Sequence, residues 1–336
     1  MMVGTEYVLG IDVSKRKLDT ALMHNGKLKS KVFDNTLAGH RTMLSGLEAH
    51  GGKAECTHIC LEATGPYSEP VALTVAAAGW KVRVVNPARV KGFAQSERSR
   101  NQTDQVDAAL LARFGAALQA DAWTPPRPEW RELRAWVDRL DPLKAMHQQE
   151  SNRLEAHHIN DEPALMVSVK NHLAWLTQEI AVLERKIDDH IDHHPDLKKD
   201  AELLRSIPGL GETTVAKTLS YAGNSRRFAS AKALAAFAGL TPRQRLSGSS
   251  IKGRTMISRT GHEDLRRALY MPGLVARRHN PILRLFADRL AANGLAPKAV
   301  IGAVMRKLLH LAYGIITSGK PFDQNHQMGL AIQDGI

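Results

Sequence analysis

The sequence predicts an α/β domain at the N-terminus, then a pair of long polar helices, then a mostly α-helical C-terminal domain. Three observations lead to this prediction. Short alternating apolar segments fill residues 1–124, the proline-rich segment TPPRPEW stands at residues 124–130, and helical periodicity dominates the chain after it. With 336 residues and 43% hydrophobic side chains, the chain can build two domains, each with its own core.

The first domain, residues 1–124, opens with three predicted strands joined by tight turns: YVLGIDV, LDTALMH and KLKSKVF, with Asn25-Gly26 as the second turn. A helix around HRTMLSGLEAH, the strand THICLEA, the helix SEPVALTVAAAG and the strand WKVRVVNP follow, and Pro87 should end that strand. The last predicted helix is TDQVDAALLARFGAAL, with Thr103 as its N-cap. Strands followed by alternating helices and strands favour an α/β fold.

Residues 125–200 are predicted to form a helical arm. Two long amphipathic helices should meet near NDEP, residues 160–163, and Pro142 should kink the first of them. The second helix repeats apolar residues at three-and-four spacing from Leu173 to Ile187, which is typical of a helical hairpin or a coiled coil. The arm is acidic, with 16 Asp and Glu against 11 Lys and Arg in residues 121–200.

The third domain, residues 201–322, is predicted to be mostly helical, and residues 323–336 form a tail. The turn PGLG, with Gly209 and Gly211, resembles a helix-hairpin-helix turn, in which backbone N–H groups hold a DNA phosphate without reading sequence. An ordinary connection between two helices is the alternative.

Positive charge is concentrated in this third domain. The whole chain carries +12, and residues 201–320 contain 20 Lys and Arg against 5 Asp and Glu, a net charge of +15. Such a local excess indicates a nucleic-acid-binding surface, and a basic surface kept for solubility is the alternative. Within the segment TPRQRLSGSSIKGR, residues 241–254, four cationic side chains are candidates for phosphate contacts: Arg243, Arg245, Lys252 and Arg254.

The composition also indicates where the protein acts. Its two cysteines, Cys56 and Cys60, cannot build a disulfide framework, which fits a reducing compartment. The N-terminal residues do not have the pattern of a signal peptide, and we expect no membrane association. The sequence therefore predicts a soluble, cytoplasmic protein.

Four acidic residues have the positions of metal ligands. Asp12 and Glu62 end two apolar strands, and Asp104 and Asp107 share one face of a helix. Carboxylates that converge in this way repel one another and call for a hard divalent cation, most plausibly Mg²⁺. This is the metal-nuclease arrangement of the ribonuclease H and RuvC type. Taken singly, each acid has another explanation: Asp12 could cap a turn, Glu62 could pair with an arginine, and the helical pair could be first-turn charges.

A second metal candidate is weaker. His190, His193 and His194 lie close together in DDHIDHHPD, with His190 and His194 one helical turn apart. No cysteine or distant third ligand accompanies them, so we interpret them as a solvated helix end.

Five motifs in order, GIDVSK, LEATGPY, TDQVDAALLA, IPGLGETTVAKTL and AFAGLTPRQRLSGSSIKGR…ISRTGHEDLRRAL, together resemble the DEDD-type transposases of insertion sequences. These are relatives of the Piv DNA invertases and include the bridge-RNA-guided recombinases. The resemblance implies a RuvC-like site formed by Asp12, Glu62, Asp104 and Asp107. It also implies a serine nucleophile in a C-terminal transposase domain, which carries over to Ser247, before Gly248. Ser249 and Ser250 stand where the family often has glycine or a basic residue, and they stay open as alternative nucleophiles.

The resemblance thus implies a transposase or site-specific recombinase that cleaves and rejoins DNA. Attack by serine would leave a phosphoserine–DNA ester, which conserves the bond energy so that a second DNA end can rejoin without a cofactor. The partners it implies are element-end and target DNA, a structured guide RNA, and further copies of the chain in a homodimer or homotetramer. Two alternatives remain: a metal-only nuclease in which water attacks, and a non-enzymatic nucleic-acid-binding protein whose acids are structural.

Overall fold

A computed structural model describes residues 7–63, 65–97, 104–118, 122–243, 246–247, 251–252 and 256–324. The chain divides into two compact units, Met1–Pro125 and Pro126–Ile336.

The N-terminal unit is built on a five-stranded mixed sheet. Its strands are β1 (Tyr7–Val13), β2 (Lys17–His24), β3 (Lys27–Asp34), β4 (Thr57–Glu62) and β5 (Lys81–Val85), in the order β3-β2-β1-β4-β5. Strands β1, β4 and β5 are parallel, whereas β2 runs antiparallel to β1 and β3. The turn between β2 and β3 places both Asn25 and Gly26 at positive φ, which is why an Asn-Gly pair forms a tight hairpin there.

Four helices cover the two faces of this sheet: α1 (Leu37–Ala49), α2 (Ser68–Ala77), α3 (Pro87–Ser96) and α4 (Asp104–Ala117). Helices α1 and α2 pack on the face that carries Leu9 and Ile11, and α4 packs on the opposite face, beside Ala21 and Cys60. The α/β architecture predicted for this region is confirmed.

Helix α3 is a difference from the sequence prediction, in which Pro87 only ended a strand. Pro87 is the first residue of α3, where a missing N–H has no helical partner to lose. The side chain of Asn86 accepts a hydrogen bond from the N–H of Ala88 at 2.8 Å and caps the helix. The same proline therefore ends β5 and starts α3. Thr103, the expected N-cap of α4, lies outside the described residues.

A glycine brings α4 close to the sheet. A Cβ at Gly10, in the middle of β1, would lie 3.0 Å from the carbonyl carbon of Leu111, and Ala108 O and Ala112 N would be nearer still. On the same face, a Cβ at Gly115 would lie 3.0 Å from Val8 Cγ1. The α4 backbone therefore rests directly on β1, and its first turn is held beside the end of that strand.

The second unit is mostly helical, as predicted. Its described helices are α5 (Pro128–Ile159), α6 (Pro163–His193), α7 (Pro195–Arg205), α8 (Glu212–Ala222), α9 (Ala231–Phe237), α10 (Glu263–Ala268), α11 (Tyr270–His279), α12 (Pro281–Ala292) and α13 (Pro297–Ser318), with a 3₁₀ turn at Ser225–Arg227. Helix α5 continues through Pro142 as one element. The second predicted arm helix instead ends at His193, because Pro195 starts α7. One apolar core runs through the unit, from Trp130 in α5 to Ile316 in α13.

Helix α13 is the one helix among the described residues that is long and apolar enough to cross a membrane. However, 56% of its most apolar stretch of 18 residues is buried inside the unit, and residues such as Val304 and Leu308 are fully buried. It is the central core helix of this unit.

Four very short strands stand between α9 and α10: β6 (Pro242–Arg243), β7 (Leu246–Ser247), β8 (Ile251–Lys252) and β9 (Met256–Ile257). Strand β6 pairs with β9, and β7 pairs with β8, both antiparallel. The described residues of this serine-rich segment therefore form two nested antiparallel pairs, and we call the segment the serine hairpin (residues 242–257).

Candidate functional site

The acids predicted as metal ligands converge at one edge of the N-terminal sheet. Asp12 is the next-to-last residue of β1, and its side chain lies on the same face as Gly10, the face that α4 covers. Glu62 ends β4 and lies on the same face as Cys60, which pairs with Gly10. Because β1 and β4 are parallel neighbours, the two carboxylates meet at the same edge of the sheet.

Helix α4 supplies the other two predicted acids from its first turn, since Asp104 and Asp107 both face this edge. The structure also adds a fifth acid, Asp19, which stands directly opposite Asp12 in the β1–β2 pair. One carboxylate oxygen from each of Asp12, Asp19 and Asp104 lies within 4.8 Å of the other two. We call Asp12, Asp19, Glu62, Asp104 and Asp107 the acid cluster.

A lysine lies between two members of the acid cluster. Lys17 Nζ donates a hydrogen bond to Asp104 Oδ2 at 2.7 Å. The same Nζ lies 3.0 Å from Asp19 Oδ2, without the alignment of a hydrogen bond. The ammonium group therefore joins the start of β2 to the first turn of α4.

Burial and mutual repulsion raise the pKa values of three acids in the cluster. Burial, followed by the charges of Asp104, Asp107 and Asp19, raises the pKa of Asp12 to about 6. Burial and the charge of Asp12 likewise raise the pKa of Glu62, and burial raises that of Asp107. Asp104 is the exception, because its hydrogen bond from Lys17 lowers its pKa. The cluster therefore holds more negative charge than its own lysine can balance.

The turn between β1 and β2 sets the spacing of Asp12 and Asp19. Ser14 closes it, since the backbone N–H and the hydroxyl of Ser14 both donate to Lys17 O, at 3.0 and 2.9 Å. Asn35 Nδ2 donates to Ser14 O at 2.8 Å, and Asn35 Oδ1 bonds to the ring of the buried His40 at 2.8 Å. Burial lowers the pKa of His40, so this support is built from neutral groups.

Asp19 was not among the acids predicted as metal ligands. In LDTALMH it occupies a polar position of an alternating strand, which is typical of a solvent-facing residue. In fact it is only 3% exposed, because its face of the sheet is covered by α4. The signal that could have revealed it is the register of the β1–β2 hairpin. Asp19 lies seven positions after Asp12 across a tight turn, which places the two acids opposite each other.

The predicted nucleophile lies on the serine hairpin. The backbone of Ser247 pairs with that of Ile251, next to the Leu246–Lys252 pair. For Ser247 and Lys252 the structure describes the backbone and not the side chain. Arg243 lies on the outer pair, opposite Met256, and is exposed. Four further candidates lie outside the described residues: Arg245, Ser249, Ser250 and Arg254.

The predicted helix-hairpin-helix turn joins α7 to α8. Gly209 has φ +109°, and a Cβ there would lie 2.6 Å from that of Ala276 in α11, so this glycine permits close packing between helices. Gly211 is the N-cap of α8, and a Cβ there would meet nothing within 4 Å. At the same helix end, Glu212 accepts hydrogen bonds from Arg205 Nε at 2.8 and 3.0 Å. Of the two glycines, only Gly211 has open space at the position of a Cβ.

The histidines of the arm bond to backbone oxygens. His190 Nε2 bonds to Glu129 O at 2.9 Å, and His194 Nδ1 bonds to His190 O at 2.7 Å. His193 Nδ1 bonds to Asp189 O at 2.6 Å. These bonds hold helix ends in place, which favours the structural interpretation of the three histidines.

The chain is similar to known transposases along most of its length. Residues 9–158 match a family model of DEDD-type IS110 proteins described as "Transposase", and residues 201–288 match one described as "Transposase IS116/IS110/IS902 family". The first match contains all five members of the acid cluster, and the second contains Ser247.

Two individual relatives are also similar to this chain over most of its length. A "Pilin gene-inverting protein" from Moraxella bovis is 33% identical over 321 residues, which cover 94% of this chain and 97% of the relative. A "Transposase for insertion sequence element IS1328" from Yersinia enterocolitica is 24% identical over 281 residues, covering 73% and 80% of the two chains.

Proposed function

The chain belongs to the IS116/IS110/IS902 family of DEDD transposases and is a DNA transposase or recombinase, and we propose that it cleaves and rejoins DNA through a covalent bond to Ser247. The observation that carries the proposal is the acid cluster, which fits a metal-dependent site for phosphodiester chemistry. The five-stranded sheet with acids at its edge further supports a RuvC-like N-terminal domain.

The donors of the acid cluster fit a divalent cation, and Mg²⁺ in particular. All are carboxylate oxygens, the ligands that hard cations prefer, and their ionisation is opposed by burial and by one another. Asp12, Glu62, Asp104 and Asp107 would hold the ion. When bound, it supplies Lewis-acid stabilisation of the charge that develops on a reacting phosphate.

The serine would carry the bond exchange. Its Oγ attacks the phosphorus of a DNA phosphodiester, a new P–Oγ bond forms, one P–O bond to deoxyribose breaks, and the released sugar oxygen takes up a proton in place of the one that Oγ loses. In the second step a DNA hydroxyl attacks the phosphoserine ester and releases the serine. Each step exchanges one ester for another, so strand joining needs no external energy source.

The basic side chains of the serine hairpin would hold the DNA during these steps. Arg243 is exposed on the outer pair of the hairpin, and Arg245, Lys252 and Arg254 share its segment. Guanidinium groups suit this role because they bind two phosphate oxygens at once. We assign the open N-terminus of α8 at Gly211 to a further phosphate and Gly209 to shaping the turn.

We extend the proposal to partners and location. The relative from Moraxella bovis is named for inverting a gene, and inversion, like transposition, requires two DNA sites to be held together. We therefore infer a homodimer or homotetramer on element-end and target DNA in the cytoplasm. The net charge of +15 in residues 201–320 is large enough to bind a structured guide RNA as well.

A covalent-trapping experiment tests the proposal. Wild type, Ser247→Ala, Asp12→Asn and the control Ser318→Ala, an exposed serine at the end of α13, would be incubated with Mg²⁺, labelled element-end DNA and co-expressed RNA. We expect a denaturant-resistant protein–DNA adduct with wild type and Ser318→Ala only.

Other outcomes distinguish the alternatives. An adduct with Ser247→Ala would move the nucleophile to Ser249 or Ser250. Cleaved but protein-free ends from both wild type and Ser247→Ala would favour a nuclease that uses water. DNA binding without cleavage, unchanged in Asp12→Asn, would favour a non-enzymatic binding protein.

A further inference from the structure

The state of Asp19 requires an explanation. Its side chain is only 4% exposed, yet among the described residues its Oδ2 accepts no aligned hydrogen bond and has only the ion pair with Lys17. A buried charged oxygen without a hydrogen bond is strongly destabilising. The same carboxylate lies among the neighbouring acids, because one oxygen each from Asp19, Asp12 and Asp104 lies within 4.8 Å of the other two.

Lys17 compensates this oxygen only in part. Its Nζ stands 3.0 Å from Asp19 Oδ2 and is aligned instead on Asp104 Oδ2, 2.7 Å away. An ammonium group that touches two carboxylates of the cluster occupies the kind of position that a bound cation would take. Its side chain is 45% exposed, so it can swing into solvent, whereas Asp19 is fixed within a covered strand.

We propose that Asp19 is a fifth carboxylate ligand of the metal site, and that Lys17 is a built-in cation that fills the site until a divalent ion displaces it. This inference rests on the metal site of the proposed function. The four ligands that the family resemblance implies do not include Asp19. A bound metal ion would give Asp19 Oδ2 a ligand bond. The ammonium group of Lys17 would then move away, because the positive charge of the ion repels it.

Metal binding to the full-length protein, measured by calorimetric titration with Mn²⁺, tests the inference independently of activity. We expect Asp19→Asn to weaken the affinity for Mn²⁺ about tenfold or more. Lys17→Met should strengthen it, because the competing cation is gone. Two exposed residues serve as controls, Glu48→Gln on α1 and Lys29→Gln on β3, and both should bind Mn²⁺ like wild type.

Melting temperatures in EDTA provide a second measurement, in which the two variants should differ in the direction of their effect. Asp19→Asn removes one of five like charges and should melt no lower than wild type, whereas Lys17→Met should melt lower and be rescued by Mn²⁺. A residue that only supported the fold would lower the melting temperature and the affinity together.

Each result decides a separate point. Wild-type affinity in Asp19→Asn would overturn its role as a ligand, and weaker binding in Lys17→Met would overturn the displacement. If Asp19→Asn did not fold, the Lys17→Met titration would still decide whether a lysine competes with metal. Wild type that failed to bind Mn²⁺ would overturn the proposed metal site itself, and this inference with it.

Discussion

The close approach of α4 to β1 makes Gly10→Ala a sharp test of how the acid cluster is assembled. The added methyl would lie 3.0 Å from the carbonyl carbon of Leu111 and closer to two other backbone atoms. Ordinary contacts lie at about 3.5 Å or more, so α4 must move away from the sheet by about 1 Å. Backbone atoms cannot rotate away as a flexible side chain can.

We expect two consequences of that movement. Overpacking of this kind lowers the free energy of unfolding by about 1–3 kcal/mol, or roughly 4 °C of melting temperature per kcal/mol for a unit of this size. A shift of about 1 Å in Asp104 and Asp107 also exceeds the tolerance of about 0.5 Å for a functional site, so Mn²⁺ affinity should fall.

The assays are thermal denaturation in EDTA and calorimetric titration with Mn²⁺. Gly92→Ala is the matched control: it lies exposed in α3, with nothing within 4 Å of its added Cβ. It should raise stability by about 0.5–1 kcal/mol, as alanine does in helices, and leave metal binding intact. Wild-type stability and wild-type affinity in Gly10→Ala would refute the argument that this glycine positions α4.

Three further predictions follow from other contacts. Without metal, Asp12→Asn should stabilise the protein by about 1–2 kcal/mol at pH 8, after allowance for solvent screening. The folded state raises the pKa of Asp12 to about 6, so only the ionised carboxylate destabilises it. Thermal melts should therefore show the gain disappearing as the pH falls from about 6 to about 4. Arg226→Met should lower the free energy of unfolding in denaturant titrations by about 3–5 kcal/mol, because it leaves the buried Asp200 without its two hydrogen bonds of 2.8 Å. As a control, substitution of the exposed Arg278 by Met should change the free energy of unfolding by less than about 0.5 kcal/mol. Arg243→Ala should reduce the slope of log affinity for DNA against log salt by about 1 in binding titrations, and an unchanged slope would exclude a phosphate contact.

Local pattern was enough to predict most of the N-terminal sheet. Alternation gave β1 and β2, and the Asn25-Gly26 turn gave the hairpin with β3, because both signals act over a few residues. Helix α3 was missed because a proline can either end a strand or begin a helix. The Asn86 cap, which decides between them, is visible only as a hydrogen bond.

The candidate site was predictable to a different extent. The structure brings Asp12, Glu62, Asp104 and Asp107 to one edge of the sheet, and their role as metal ligands stays a prediction. The part played by Asp19 depends on strand register and on the cover that α4 provides. Both are tertiary features, which no window of the sequence contains. Ser247 was identified by resemblance alone, since neither its spacing nor its composition singles it out from the neighbouring serines.

The bond between Lys17 and Asp104 joins positions 87 residues apart in the chain. Contacts of that sequence separation form late in folding, because the intervening loop must first lose its freedom. During synthesis the first two strands leave the ribosome long before α4 does, so a chain at that stage has only two of the five members of the acid cluster, Asp12 and Asp19. The complete acid cluster arises only once the whole N-terminal unit has been made and α4 has docked on Gly10.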